Sequence, residues 1–428
     1  MAVKRNLALI YSAAFLRSAS IGLLGVVLAV YLSRTGFSAT AIGFVLAAGL
    51  AGSAAATAVM SRYGESFGRR RVLIAAALLS SGGGLGLAFV HTPAVFIPLA
   101  FACMLNGMGT DRSAAFAVEQ AVIPGLVTDR RRTWTLSWYN VVLDTSGAVG
   151  ALAGALPVAF HDWTGVELLS AYRWVFLLYT ALNLTSAALY LFLDSQVESG
   201  LAAQLETAAA KVTPETKRIV WRISALFALD SAGGGFLADA LLAYWFFQRF
   251  GVDEKGLGLL FFIVRVLNAV SHLGAAWIAR KIGLVRTMVF THLPSSLFLI
   301  AVPLAPRFEI AAVLLLMREA LVEMDVPTRQ SYVAAVVQPH ERVYASSVAN
   351  LARTGGWAIT ASIAGALMQH VAFSAPLVLG GSIKVIYDLL LYRSFRHVKP
   401  PEEQRRGLEP ESQPDSKASL QLTKGRSS

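Results

Sequence analysis

Charge is scarce in this chain. Of its 428 residues only 15% are Asp, Glu, Lys or Arg, against 55% hydrophobic residues. Soluble globular domains carry about 25% charged residues, so a water-soluble architecture is excluded. Cysteine is nearly absent as well: Cys103 is the single one, which excludes an intrachain disulfide and a thiolate metal cluster. Set in an apolar run, it reads as a small packing residue. The histidines His91, His161, His272, His292, His340, His370 and His397 do not fall at metal-ligand spacing. A Gly-x-x-x-x-Gly-Lys-[Ser/Thr] phosphate loop is missing, which argues against ATP hydrolysis. No nucleophile–base pair emerges, so neither an enzyme nor a cofactor is expected. A cleavable signal peptide is not expected either, because the first apolar run is too long and lacks a small-residue cleavage site.

What is present is long hydrophobic runs. A lipid-spanning helix needs about 20 mostly apolar residues. Twelve such spans are read: 7–32, 40–60, 72–90, 96–118, 134–160 and 172–193, then 219–247, 257–278, 287–304, 309–326, 344–369 and 376–395. Helices are expected because barrel strands would be short and alternating. The polar stretch 194–218 divides the spans six and six, with a short surface helix expected around 201–211. The stretch 400–428, rich in Pro, Glu, Arg, Gln and Ser, predicts disorder. The expected organisation is an N-terminal six-helix bundle (1–195), a cytoplasmic linker (196–217), a C-terminal six-helix bundle (218–396) and a disordered cytoplasmic tail (397–428).

The net charge is +11, and its distribution sets an expected topology. With the N-terminus inside, seventeen Lys and Arg precede the tail on the inner side, among them Arg69, Arg70, Arg71, Arg130, Arg131 and Arg132. The outer side holds five: Arg34, Arg173, Arg249, Lys255 and Arg307. Basic residues accumulate in cytoplasmic loops, so both termini are expected in the cytoplasm, in a plasma or inner membrane. No basic-aromatic platform suggests nucleic acid.

The two halves repeat. At an offset of 210, Gln120, Arg132 and Asn140 fall on Gln330, Arg342 and Asn350; near the start of each half an offset of 213 places Arg17 on Asp230 and Gly22 on Gly235. The loop after the second span contains Glu65, Gly68, Arg69 and Arg70. It resembles the Gly-x-x-x-Asp-Arg-x-Gly-Arg-Arg signature of the major facilitator superfamily, with Ser61 and Ser66 as departures. The loop in the second half keeps Gly283 but has Arg280 at the acidic position. The stretch from Asp325 to Tyr332, then Glu341, Arg342 and Asn350, is similar to the same family. Gly147, Gly150 and Gly154 resemble an antiporter glycine motif without its Gly-Pro pair, and close helix packing is the favoured reading. Ala102 and Cys103 stand where efflux members carry an arginine, which weakens drug–proton antiport.

The resemblance implies an all-α membrane protein of twelve transmembrane helices in two pseudo-symmetric six-helix bundles. It implies a cavity lined by spans one, four, seven and ten, and a gating loop at Glu65, Gly68, Arg69 and Arg70 that locks the halves by charge contacts. Charges within spans are costly, about 2.5–3.5 kcal/mol at the bilayer centre on insertion scales. The four cavity spans hold Arg17; Asp111 and Arg112; Asp230 and Asp239; Arg318, Glu319 and Glu323. Arg17 and Asp230 each fall about 15 Å into the bilayer at about 1.5 Å per residue, with opposite charge. They are expected either to pair across the cavity or to hold separate local partners.

Glu319 and Glu323 share a helix face and are candidates to take up a proton; Arg318 and Glu319, being adjacent, point about 100° apart. Asp144 and Arg353 are further binding or gating candidates, while Lys384 and Asp388, four residues apart, read as structural partners of one another. The glycines 233–235 suggest a hinge or a close contact, and Tyr244, Trp245, Phe246 and Phe247 an aromatic belt at the outer interface.

The function expected is secondary active transport of a small organic solute by alternating access, proton-coupled, by efflux or uptake. Arg17 and Arg318 suggest a carboxylate-bearing or otherwise anionic substrate. The alternative is a transporter-like membrane sensor or lipid-handling protein without flux. The partners expected are the solute, protons and membrane lipid, around a monomer, with no nucleic acid.

Overall fold

The computed structural model describes residues 2–90, 92–111, 113–127, 129–198, 213–325, 329 and 342–395. The surface helix around 201–211, the tail 397–428 and Arg112 lie outside them, as do the side chains of Glu65, Arg280, Arg342 and Asn350. Every regular element among the described residues is helical. The order is α1 (Ala2–Arg34), α2 (Ala39–Phe67), α3 (Arg69–Phe89), α4 (Pro93–Ala102), α5 (Ala114–Leu126), α6 (Asp129–Ala153), α7 (Leu156–Thr164) and α8 (Leu168–Leu191). After a short 3-10 turn (Ser195–Glu198) follow α9 (Pro214–Gly235), α10 (Asp239–Phe250), α11 (Glu254–Ile282), α12 (Leu284–Ala301), α13 (Phe308–Val322), α14 (Arg342–His370) and α15 (Ala375–Phe395).

Twelve crossings are made from these fifteen helices, because three crossings are broken. The fourth is α4 plus α5, the fifth α6 plus α7 and the seventh α9 plus α10. Eight crossings among the described residues are long and apolar enough by composition alone to span a bilayer. The broken fourth, with α11, α13 and α14, supplies the other four.

The fourth crossing was expected to run unbroken over 96–118. It stops at Ala102, and Cys103 caps α4 while Met104 takes φ 53. The freed backbone is satisfied locally: Asn106 accepts from Met108 N (2.8 Å) and donates to Thr110 O (2.9 Å), Asp111 accepts from Ser113 N (3.0 Å), and Ser113 caps α5. Irregular backbone at membrane depth survives where protein covers it and supplies such partners. The seventh crossing breaks at 236–238, directly after the glycine trio. Those glycines also pack tightly: a Cβ on Gly233 would lie 2.9 Å from Gly380 O.

Lipid tails are as apolar as leucine, so helix association in a bilayer rests on close packing and polar contacts. The main contacts are α1 with α6, α3 with α8, α9 with α14 and α12 with α15. Between the two groups of six, α2 packs on α14 and α6 on α11. A Cβ on Gly43 would sit 2.9 Å from Gly365 N, so these two backbones meet with no room for a side chain. Large apolar residues such as Leu78, Phe89, Trp174 and Leu389 face outward, as a lipid surround requires.

Three apolar clusters reveal the state of the molecule. The largest joins both groups of six at the end distal to the chain ends, with Leu28, Leu32 and Phe176 packed with Leu241, Trp245 and Phe261. On the side of the chain ends, Ile10, Leu73, Tyr139 and Tyr190 belong to one cluster and Ile223, Met288, Tyr387 and Phe395 to another. The distal end is therefore closed by a shared core, while the two groups keep separate cores at the other end. The expected aromatic belt is part of that closure. Trp245 and Phe246 are fully buried, and Trp245 Nε1 donates to Ser374 Oγ at 3.0 Å. The break ahead of α10 turns this helix into the shared core, which a linear hydropathy reading does not register.

Candidate functional site

The charges within the spans gather into two buried clusters, one in each half. In the first, Arg17 on α1 binds Asp111 through Nε (2.7 Å) and Glu119 on α5 through Nη1 (3.1 Å) and Nη2 (2.5 Å). Tyr190 on α8 and Tyr139 on α6 each donate a hydroxyl to Glu119, both at 2.6 Å. Glu119 and both tyrosines have no solvent exposure. Two carboxylates around one guanidinium, with tyrosine hydroxyls filling the remaining lone pairs, satisfy the condition under which a buried ion pair is tolerable.

In the second cluster, Asp230 on α9 accepts from Lys384 on α15 (2.7 Å) and from Arg329 (3.1 Å). Arg329 also binds Asp325 at 2.6 Å and lies over the Phe227 ring at 5.0 Å. His292 on α12 sits between carboxylates, with Nδ1 3.0 Å from both oxygens of Asp388 and Nε2 3.5 Å from Asp230 Oδ1. Lys384 and Asp388, expected as partners, thus turn to Asp230 and to His292 respectively. Arg17 and Asp230 hold separate local partners, so in this state they do not pair across the cavity.

The repeat offsets relate the two clusters. Arg17 corresponds to Asp230 at 213, and Glu119 to Arg329 at 210. Each is a contact from the first crossing of a half to a position that the repeat places in register, and the charges are exchanged.

A polar cavity of about 120 Å³ opens beside the second cluster. Its wall includes Asp230, Asp239, Arg318, Glu319, Glu323, Arg353 and Lys384 from the second half, with Met108 and Thr110 from the first. Arg318 pairs with Glu319 although the two are adjacent, because a long guanidinium reaches around the helix; Arg265 on α11 pairs with Asp239. Arg353 lies over the Trp357 ring at 4.9 Å and near Ser231 Oγ at 3.4 Å. Glu323 lies at the end of α13. Arg17, Asp111 and Asp144 stand outside this wall; Asp144 is half-buried on α6.

The distal end is fastened by polar contacts too. Glu254, at the start of α11 and fully buried, accepts from Arg34 Nε (2.9 Å) and Nη2 (3.2 Å) and from the Tyr172 hydroxyl, all from the first half. Gln248 donates to Ser33 (2.8 Å), and Ala240 N donates to Gly107 O (3.0 Å), which stitches the break of the fourth crossing to that of the seventh.

Of the residues expected to form a gating loop, the described contacts of Gly68, Arg69 and Arg70 lie within their own half. Gly68 takes φ 85, and Glu198 caps α3 by accepting from Arg69 N (2.6 Å) and Arg70 N (3.1 Å). Arg69 Nη1 donates to Val197 O at 3.2 Å and Arg70 to Leu191 O. The described contacts therefore tie the loop to the end of the sixth crossing.

Sequence reasoning missed Glu119, Arg329, His292, Glu254 and the cluster tyrosines as site residues. A signal existed for the first two, since they adjoin Gln120 and Gln330 of the repeat. None existed for Glu254, which reads as an ordinary helix start.

The model of the major facilitator superfamily matches residues 10–322. An uncharacterized membrane protein of Saccharomyces cerevisiae is 25% identical over 421 residues, covering 91% of this chain and 94% of the relative. The crystal structure of a D-xylose–proton symporter superposes with a TM-score of 0.73 at 17% identity, covering 92% of this chain and 98% of that one. A bacterial homologue of the human lysosomal transporter Spinster, in an inward-facing and occupied conformation, gives 0.72 at 13% identity, with 91% and 96% covered. The family model, with two six-helix groups meeting at a charged cavity, defines a secondary transporter and not an enzyme. The chain belongs to the major facilitator superfamily.

Proposed function

We propose that this transporter moves a small polar organic solute through the cavity beside Asp230, Arg318 and Lys384, with a proton as the coupling ion. The bundles 1–195 and 218–396, joined by the linker 196–217, rock about that site, and both termini lie in the cytoplasm of a plasma or inner membrane. The observation that carries the reading is the shared core sealing the distal end above a cavity rich in charges of both signs, while the opposite ends keep separate cores. That is one end state of alternating access about a midplane site. Arg17 is fully engaged by Asp111 and Glu119, so an anionic solute draws support from Arg318 alone among the two arginines first singled out.

The test has two stages. A thermal-shift screen of metabolites and drugs finds ligands, since binding to the folded state stabilises it. Flux of each hit into and out of proteoliposomes is then measured with and without a pH gradient. Gradient-accelerated flux, with the thermal shift lost in Arg318→Ala, is the expected result, and its direction separates uptake from efflux. Flux indifferent to the gradient overturns proton coupling. Binding without flux in any condition supports a sensor.

A further inference from the structure

We propose that His292 carries the proton of the second half, taking it from the cavity and thereby releasing Lys384 from Asp230. This rests on the proton-coupled reading above and assigns its site to α12 and α15, away from the Glu319 and Glu323 pair.

The geometry around the ring defines two states. In the neutral state Nδ1–H donates to Asp388 (3.0 Å) while the Nε2 lone pair faces the Lys384 ammonium, whose Nζ lies 3.5 Å away. Lys384 then holds Asp230 at 2.7 Å. A proton added at Nε2 makes the ring a double donor, with Nδ1–H still on Asp388 and Nε2–H turned to Asp230 Oδ1, which lies 3.5 Å away. The imidazolium and the ammonium now repel each other and compete for the same carboxylate oxygen. No covalent bond other than N–H forms, and the proton comes from cavity water, since His292 belongs to the cavity wall although it is 1% exposed overall.

Charge counting favours uptake. Among the described residues, Asp230, Asp325 and Asp388 face Arg329 and Lys384, a set one positive charge short while His292 is neutral and balanced once it is protonated. Among the described residues the surroundings do not alter that balance. The other helices packed on α12 turn their charges elsewhere: α13 pairs Arg318 with Glu319, and α11 pairs Arg265 with Asp239. Glu323 and Arg353, further along the cavity wall, carry one charge of each sign. Uncompensated buried charge is costly, so a site short of one cation, with an imidazole in its middle, is built to accept a proton.

A second observation points the same way. The Tyr387 ring packs edge-on against His292 at 5.8 Å, and its hydroxyl is buried with no hydrogen-bond partner among the described residues. A buried hydroxyl without a partner carries a desolvation cost, which a rearrangement of Lys384 or Asp388 that brought it one would relieve.

The experiment uses the full-length protein in lipid nanodiscs with ¹³C-labelled histidine and the proton itself as probe. One ring signal, missing from His292→Gln or His292→Asn and showing contacts to Tyr387 in the wild type, is followed between about pH 5 and 9. The Tyr387 contact assigns the signal even if neither variant folds. Expected is a titration whose midpoint moves by about 1 in pH in Asp388→Asn and in Lys384→Met, which remove the groups at either ring nitrogen. A signal that does not titrate, or a midpoint unmoved by both variants, overturns the assignment to His292. Either result is separable from the transport reading: gradient-driven flux of wild type with an inert His292 keeps proton coupling and moves its site, whereas flux that ignores the gradient overturns the coupling itself.

Discussion

Glu119 stands to Arg17 as Arg329 stands to Asp230. Each pair joins the first crossing of a half to a position that the internal repeat places in register, with the charges exchanged. The repeat has conserved a contact and inverted its polarity. An ion pair survives such an inversion because its Coulomb energy depends on the product of the charges, whereas the neighbours that finish each site must change. The first half supplies tyrosine donors to Glu119; the second supplies Lys384 and His292 to Asp230.

Local pairing makes a sharp prediction for charge swaps. Arg17→Asp alone leaves Asp111 and Glu119 uncompensated, and breaking a buried pair costs about 3–5 kcal/mol. The double variant Arg17→Asp, Asp230→Arg should be no more stable than its worse single variant, because both replacements meet like charge. Arg17→Glu with Glu119→Arg should recover part of the loss. Thermal unfolding in detergent decides, and rescue by the first double variant would show that the two clusters contact each other.

Glu254 is the latch of the distal end. Replacing it with Gln removes the charge that Arg34 and Tyr172 hold. A weakening of about 1.4 kcal/mol raises the distally open population about tenfold. With Cys103→Ser as background, a reporter Ala29→Cys inside the shared core should be alkylated correspondingly faster from the distal side. An unchanged rate would show that the apolar core alone holds that end shut.

The Gly43–Gly365 contact sets the distance between α2 and α14. Gly365→Val places a branched side chain against the backbone of α2, so the two groups cannot seat. Overpacking typically costs about 1–3 kcal/mol. The expected readouts are a lower unfolding midpoint and loss of flux. Gly355→Ala is the control, because Gly355 has open space around it and ordinary helical backbone within α14.

Glu198 caps α3 from 129 residues away in sequence. Loss of a side-chain cap costs about 0.5–2 kcal/mol, so Glu198→Ala should lower stability by that order. It should also raise protease cleavage at the α2–α3 junction around Gly68 in the folded protein. Cleavage unchanged from wild type would show that Arg69 and Arg70 hold the loop without the carboxylate.

The broad architecture was legible in the sequence because hydrophobic runs and charge asymmetry between loops are local properties. The six-plus-six division followed from them, and the family from the resemblance carried by Glu65, Gly68, Arg69 and Arg70. The breaks were less legible. The stretch 96–118 does carry a polar, glycine-containing run at 106–113, whose Asn106 and Asp111 supply partners for freed backbone, but apolar content summed over the whole span passes over it. Trp245 and Phe246 misled because an aromatic run near a span end looks the same whether lipid or another helix covers it.

By itself the sequence determined that the chain lives in a membrane, how often it crosses, and which charged residues are held within the spans. A run of apolar residues partitions into lipid whatever its neighbours do, and each buried charge carries its cost on its own. Only the tertiary structure decided who answers each charge. The bonds of Arg17 to Glu119, Asp230 to Lys384 and His292 to Asp388 link residues about a hundred positions apart or more. Each depends on how two helices are rotated about their axes, where a single residue step turns a side chain by about 100°. That rotation is fixed by backbone contacts such as Gly43 on Gly365, and a linear pattern does not encode it.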